Sequence, residues 1–207
     1  MLPPTIPIFP LPNVVLFPNV FLPLHIFEPR YRQMVEDALK GDRIIGMVLL
    51  RPGWESNYEG QPPVYPIGCA GVITHSEQLA DGRYNIVLHG LDRVRVVEED
   101  HARPYRRAVV EVLPDPPVGA DDQRAIHELR SRLEALTGID QSPERPLTQA
   151  PDADFVHAIA HALDLEPLEK QALLERETLP LRAQALVELL EMRRLIAHAP
   201  GGSQRVQ

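Results

Sequence analysis

The sequence predicts an α+β fold: a β-rich, barrel-like lobe carrying one helix, followed by a helical bundle lobe. Three observations predict it. Sixteen of the 22 prolines stand at or before Pro117, and the runs between them are short, apolar or alternating, the length of strands. One stretch of helical period, from about Pro29 to Lys40, interrupts those runs. Beyond the linker Pro114–Asp122 (PDPPVGADD), the apolar residues recur at helical spacing. The expected division is 1–117 for the β-rich lobe, 118–199 for the helical bundle and 200–207 for a disordered tail.

The elements follow in order. Thr5–Phe9, Val14–Phe17 and Val20–His25 read as strands between prolines, which sheets tolerate at edges, strand starts and bulges. Tyr31, Met34, Val35, Ala38 and Leu39 then form one helix face, with Pro29 at the first helical position and Gly41 as a left-handed stop. Ile44–Leu50 is apolar enough to be buried on both faces, and Ile67–Thr74 is a strand rich in small residues. Asp81-Gly82 signals a two-residue hairpin. Tyr84, Ile86 and Leu88 alternate with Asn85, Val87 and His89, Gly90-Leu91-Asp92 turns the chain, and Ala108–Leu113 is the last strand. In the second lobe Ile126, Leu129, Leu133 and Leu136 mark a helix stopped at Gly138, and Ile139–Ala150 reads as a second linker. The next helix is capped at Asp152, with Val156, Ile159, Ala160 and Leu163 inward. Another runs from Pro167 through Leu174, and a last one starts at Thr178 with Leu186, Leu189, Leu190 and Leu195 inward.

Charge and cysteine content exclude several classes. Against 21 cations stand 29 carboxylates, a net of −8, and neither lobe offers the basic field of a general nucleic-acid binder. One cysteine, Cys69, excludes an internal disulfide and a multi-thiolate metal site. The first 27 residues are apolar, but no Lys or Arg precedes Arg30, and seven prolines from Pro3 to Pro23 break any helical span. A signal peptide or membrane anchor is therefore not expected, and the expected compartment is the cytoplasm.

The search for chemistry yields no catalytic residue, cofactor site or metal site. The phosphate loop GxxxxGK[ST] is absent, and neither Lys40 nor Lys170 follows a glycine. His157 and His161 sit four apart, but Ala158 stands where an HExxH metalloprotease needs its glutamate, so both read as surface or interface histidines. Cys69 lies on an apolar strand and reads as core. The loop Arg51–Pro66 is the candidate peptide-binding element: Trp54, Tyr58 and Tyr65 lie among Gly and Pro, where aromatics grip a partner or fold back as a lid over the sheet. Residue type alone leaves both readings open.

Pro7 to Leu39 resembles the opening of the N-terminal, substrate-binding domain of Lon proteases, most specifically at Pro23-Leu24-His25-Ile26-Phe27-Glu28-Pro29-Arg30-Tyr31. Ile44–Val48, Asp81–Gly90 and Pro104-Tyr105 are similar to later blocks of that family. The resemblance implies a PUA-like twisted β-barrel lobe with one helix, then a helical bundle lobe. It also implies a non-catalytic module that binds unfolded or misfolded protein segments, or a protease or chaperone partner, as an adaptor or regulator in protein quality control. Within the motif, Glu28 and Arg30 read as structural, with Phe27 and Tyr31 packing the helix on the sheet. PUA-like sheets elsewhere bind RNA, so the alternative is an RNA-binding module using Arg93, Arg95, Arg103, Arg106 and Arg107, against which the net charge argues.

Overall fold

Six strands arise from the runs between prolines: β1 (Thr5–Leu11), β2 (Phe21–Ile26), β3 (Ile44–Leu49), β4 (Ile67–Gln78), β5 (Tyr84–Asp100) and β6 (Arg107–Val112). The computed structural model describes residues 2–58, 60–100, 102–138 and 147–198. The strands form one sheet in the order β2-β5-β4-β3-β1-β6, and β5 also pairs with β6. That last pairing closes β5, β4, β3, β1 and β6 into a barrel, with β2 outside it on β5. Only β1 and β3 run parallel, from Ile8↔Gly46 to Leu11↔Leu49. β3 is buried along its whole length, and Ile6, Ile8, Ile44, Val48, Ala70, Val94 and Ala108 form a core cluster with it. The α+β, barrel-like prediction holds.

The closure depends on β5. Its first residues, Tyr84–His89, pair with β2, and Val94–Asp100 pair with β6 after a register shift between Val96 and Glu98. Gly90 lies inside this strand, so Gly90-Leu91-Asp92 is not a turn. The glycine serves a close approach instead. The expected strand Val14–Phe17 is irregular chain that crosses β5 there, with Val15, Leu16 and Phe17 buried. Asn19 N–H donates to the Gly90 carbonyl and Gly90 N–H to the Val20 carbonyl, both at 2.9 Å. A Cβ on Gly90 would overlap the Phe17 carbonyl.

Local turns also differ from expectation. The β4–β5 connection holds three residues, Ala80–Gly82, because Leu79 N–H bonds the Arg83 carbonyl at 2.8 Å and Gly82 (φ 82°) takes the left-handed position. Helix α1 (Pro29–Lys40) has the expected bounds, with Tyr31, Met34, Val35 and Ala38 buried. Its stop is not a left-handed Gly41, whose φ is −115°; Arg43 takes φ 62° instead. Arg43 is held there by its N–H on the Ala38 carbonyl (2.9 Å) and its Nε on the Ile73 carbonyl (3.0 Å).

The remaining helices are α2 (Ala120–Thr137), α3 (Asp152–Ala162), α4 (Pro167–Leu174) and α5 (Leu179–His198). Thr178 caps α5 through a 3.4 Å bond from Leu181 N–H to its Oγ1. Asp152 is the first residue of α3 rather than its cap, and its carboxylate accepts from Arg130 at 2.8 Å. Leu195, expected inside, is 69% exposed. The described residues fall into two units, Met1–Pro114 with His157–Glu175 and Asp115–Val156 with Arg176–Gln207, which differs from a division at Pro117. Buried polar groups explain the difference. Gln171 on α4 donates to the Ile67 carbonyl of β4 at 2.9 Å, Arg93 of β5 donates to the Leu174 carbonyl at 3.2 Å, and His157 Nδ1 meets the Pro18 carbonyl at 3.1 Å. In the second unit Arg182, fully buried, forks onto Asp115 at 3.1 and 3.2 Å, and Arg130 lies over the Phe155 ring at 4.5 Å. The expected tail, 200–207, and most of the expected linker, 139–146, lie outside the described residues.

Because the crossing leaves no room for a side chain, Gly90→Ala lowers the unfolding free energy by about 3 kcal/mol. Urea denaturation followed by circular dichroism checks this, with Gly119→Ala, at φ −72° and with only an ordinary 3.8 Å contact for the new Cβ, as the control for glycine replacement.

Candidate functional site

The loop after β3 is tied to α1 by one residue. A short 3-10 turn, Trp54–Asn57, places the Trp54 ring edge-on to Tyr58 at 5.5 Å. Tyr58 donates its hydroxyl to Glu28 Oε1 at 2.7 Å, and Arg30 Nε donates to Glu28 Oε2 at 3.0 Å. The Arg30 guanidinium then lies over two rings, Tyr31 at 4.6 Å and Tyr58 at 5.0 Å. Glu28 stands at the N-cap position of α1 but caps nothing with its side chain, because the carboxylate is committed to Arg30 and Tyr58. Tyr65 does not join this group. Its backbone N–H bonds the Leu49 carbonyl at 2.8 Å, and its ring lies under Arg51 at 5.4 Å. All three aromatics are half-buried, so Tyr58 fastens the loop while Trp54 and Tyr65 keep part of their faces in solvent.

Tyr58 also borders a cavity of about 200 Å3, bounded by the start of α1, the end of β1 and the segment before β6. Tyr31, Tyr105, Arg30, Arg103 and Arg106 line it with Tyr58. Tyr105 donates to Asp37 Oδ2 at 2.8 Å. Arg106 is held on Glu99 at 2.6 and 2.7 Å and on the Pro62 carbonyl at 2.8 Å. Burial pushes the Tyr31 phenol up to about 12, against the charge of Arg30, and burial with the bond to Asp37 does the same for Tyr105.

A second surface lies on β2. Leu22 and Ile26 point inward, while Phe21 is 59% exposed and leans on His89 at 4.6 Å. Phe27, expected to pack α1 on the sheet, is 61% exposed and stacks on His25 at 6.4 Å. It precedes the helix, so it continues the outward face of the strand instead of joining the inward face of α1. Since β2 ends the strand order, its outer edge pairs with no other strand among the described residues. Alternation in Phe21–Phe27 (FLPLHIF) carried a signal for this surface, because apolar residues occupy both of its faces.

The other candidates resolve into structure. His157 is buried and stacks on Phe17 at 5.9 Å, and the half-buried His161 hydrogen-bonds the Val15 backbone, so both histidines hold the crossing segment, as interface residues rather than metal ligands. Burial, then the Lys170 charge, lowers the His161 pKa. Among the described residues no three His, Cys, Asp or Glu side chains gather as metal ligands. Cys69 is buried on β4. The arginine cluster is neutralised: Arg95 pairs with Glu111 at 2.8 Å, Arg106 with Glu99, and Arg103 and Arg107 stand 3.6 Å from Asp37 and Asp100. No helix among the described residues is long and apolar enough to cross a membrane.

A closed mixed sheet with an outlying β2, one helix across it and further helices after it defines an α+β barrel domain. The model of the ATP-dependent protease La (LON) substrate-binding domain matches residues 5–192, and the chain belongs to that family. It is 30% identical over 205 residues to Lon protease 2 of Myxococcus xanthus, covering 94% of this chain and 24% of that protein. It is 31% identical over 185 residues to the Lon protease of Dictyoglomus thermophilum, covering 84% of this chain and 22% of that protein. The chain thus spans about a quarter of the length of these relatives, and the match to the substrate-binding domain leaves no protease domain within the 207 residues. The same fold occurs in the N-terminal domain of the Mycobacterium avium complex Lon protease (TM-score 0.72, 14% identity, 90% of this chain and 98% of that one). It occurs also in a Lon N-terminal domain protein from Xanthomonas campestris (TM-score 0.60, 22% identity, 95% of this chain and 99% of that one).

The raised phenols set an alkaline limit. A phenol ordinarily ionises near 10, so between there and about 12 the unfolded chain loses protons that Tyr31 and Tyr105 keep in the fold. The stability that these two groups contribute is therefore full below pH 10 and is lost as pH rises toward 12. Urea midpoints measured across that range show the fall, and Tyr105→Phe makes it shallower.

Proposed function

We propose that this domain binds unfolded or misfolded protein segments without transforming them, as an adaptor or regulator in protein quality control. The observation that carries the reading is the pair Phe21 and Phe27, both more than half exposed beside the open edge of β2. An extended segment adding to that edge gains main-chain hydrogen bonds, while its apolar side chains cover the two rings. Covering what they expose buries about 200 Å2 of apolar surface, worth about 5 kcal/mol before ordering costs. Trp54 and Tyr65 contribute partly exposed faces on the loop, and Tyr58 positions that loop through Glu28. Membership in a family described as substrate-binding supports the same reading, and a protease or chaperone partner is the related occupant of the surface.

Fluorescence anisotropy with reduced, carboxymethylated lactalbumin tests it. The wild-type domain binds the labelled chain, and Phe21→Ser combined with Phe27→Ser weakens binding at least tenfold. The urea midpoint stays within error, because neither ring is part of the core. An unaffected double variant, or no binding by folded wild type, overturns the proposal.

A further inference from the structure

Three phenols surround the cavity at the start of α1, and they are not equivalent. Tyr58 and Tyr105 give their hydroxyls to Glu28 and Asp37. Tyr31 is only 4% exposed, yet its hydroxyl makes no hydrogen bond to any described residue. The hydroxyl opens on the cavity, so it is a donor that a group entering the cavity can take.

The charges around it point to the class of that group. The described lining holds three guanidinium groups and no carboxylate; Glu28, Asp37 and Glu99 stand behind the arginines. Arg106 spends Nε, Nη1 and Nη2 on Glu99 and Pro62, so it forms wall. Arg30 gives Nε and Nη2 to Glu28, and its remaining contacts, to the Tyr58 carbonyl, are long at 3.5 Å, so it has N–H groups to spare. Arg103 is half exposed and 3.6 Å from Asp37. Asp37 keeps the Tyr105 hydroxyl when Arg103 turns away, so that turn strands no carboxylate.

We propose that this cavity binds a single carboxylate carried on a small apolar body, with Tyr31, Arg30 and Arg103 as its donors. The three arginines are already paired with Glu28, Asp37 and Glu99, so the charge balance disfavours a polyanion, and a single carboxylate is taken by the spare N–H groups of Arg30 and by Arg103 turning from Asp37. Pro10, Leu50 and Pro62 provide apolar wall, and about 200 Å3 admits a body the size of one residue. Such a carboxylate comes either from the end of a peptide chain or from a small free acid. Nothing in this inference rests on the β2 surface, and the two stand or fall separately.

Backbone amide NMR titrations of the full chain test it with N-acetyl-leucine, N-acetyl-leucinamide, acetate and inorganic phosphate. N-acetyl-leucine shifts the amides of Tyr58, Arg103 and Tyr105 saturably, while its amide and phosphate do not. A tighter fit for N-acetyl-leucine than for acetate identifies a chain end, and equal affinity identifies a small free acid. Tyr31→Phe weakens binding about tenfold while leaving the melting temperature unchanged, because the lost hydroxyl holds nothing in the free protein. Arg103→Ala weakens it comparably. Absence of saturable shifts, equal binding of the amide or of phosphate, or full affinity in Tyr31→Phe overturns the proposal.

Discussion

Closure of the barrel through one strand is the constraint on which the first unit depends. β5 must reach from β2 to β6 over 17 residues, and a straight strand of that length cannot serve both. The register shift at Val96–Glu98 bends it, and Gly90 lets another segment cross it at backbone distance. The crossing segment ends where β2 begins, so the same glycine that admits the Phe17 carbonyl also sets β2 outside the barrel. The open edge and the exposed Phe21 follow from that placement. Filling the crossing would therefore disturb the exposed β2 edge as well as the core.

Buried polar side chains do the fastening. Gln171, Arg93 and His157 all meet backbone carbonyls, groups that no apolar packing would have satisfied. Each bond selects one position of a helix against the sheet, whereas a stripe of leucines tolerates sliding. The surface follows a related rule. With nineteen arginines and two lysines against 29 carboxylates, most cations find partners of fixed geometry, and the cluster near β6 carries no free basic field. A net of −8 is thus compatible with many arginines and with little attraction for phosphate backbones.

Elements whose determinants are local could be read from the sequence. The bounds of α1 and α4 follow from a proline at the first helical position and a helical period, and β3 from an unbroken apolar run. Expectation and structure part where a distant segment decides the conformation. Val14–Phe17 has strand composition, but the Val15 backbone meets His161 of α3, the Phe17 carbonyl accepts from Val20 N–H, and the residues that bond β5 are Asn19 and Val20 just beyond it. Gly90 has the look of a turn because nothing near it in sequence reveals the Phe17 carbonyl. Gly41 lost the left-handed role to Arg43 because a carbonyl on β4 holds the arginine side chain. At the site, residue type singled out Trp54, Tyr58 and Tyr65, but the tie from Tyr58 to Glu28 spans 30 residues and has no local signal.

The short run from Phe27 to Tyr31 shows how one motif can send its side chains to several surfaces. The chain passes there from strand to helix, and the change of period sends neighbouring side chains to different places. Phe27 still obeys the strand and leaves on its outer face; Tyr31 obeys the helix and points inward. Between them Glu28 and Arg30 pair with each other and take hold of the loop through Tyr58. A substitution at either charged position therefore reaches the loop, one wall of the cavity and the start of α1 together. Reading the motif as a packing signature accounts for Tyr31 alone; Phe27 lies on the exposed face of β2, Glu28 and Arg30 hold the loop, and the helix start sets the angles between them.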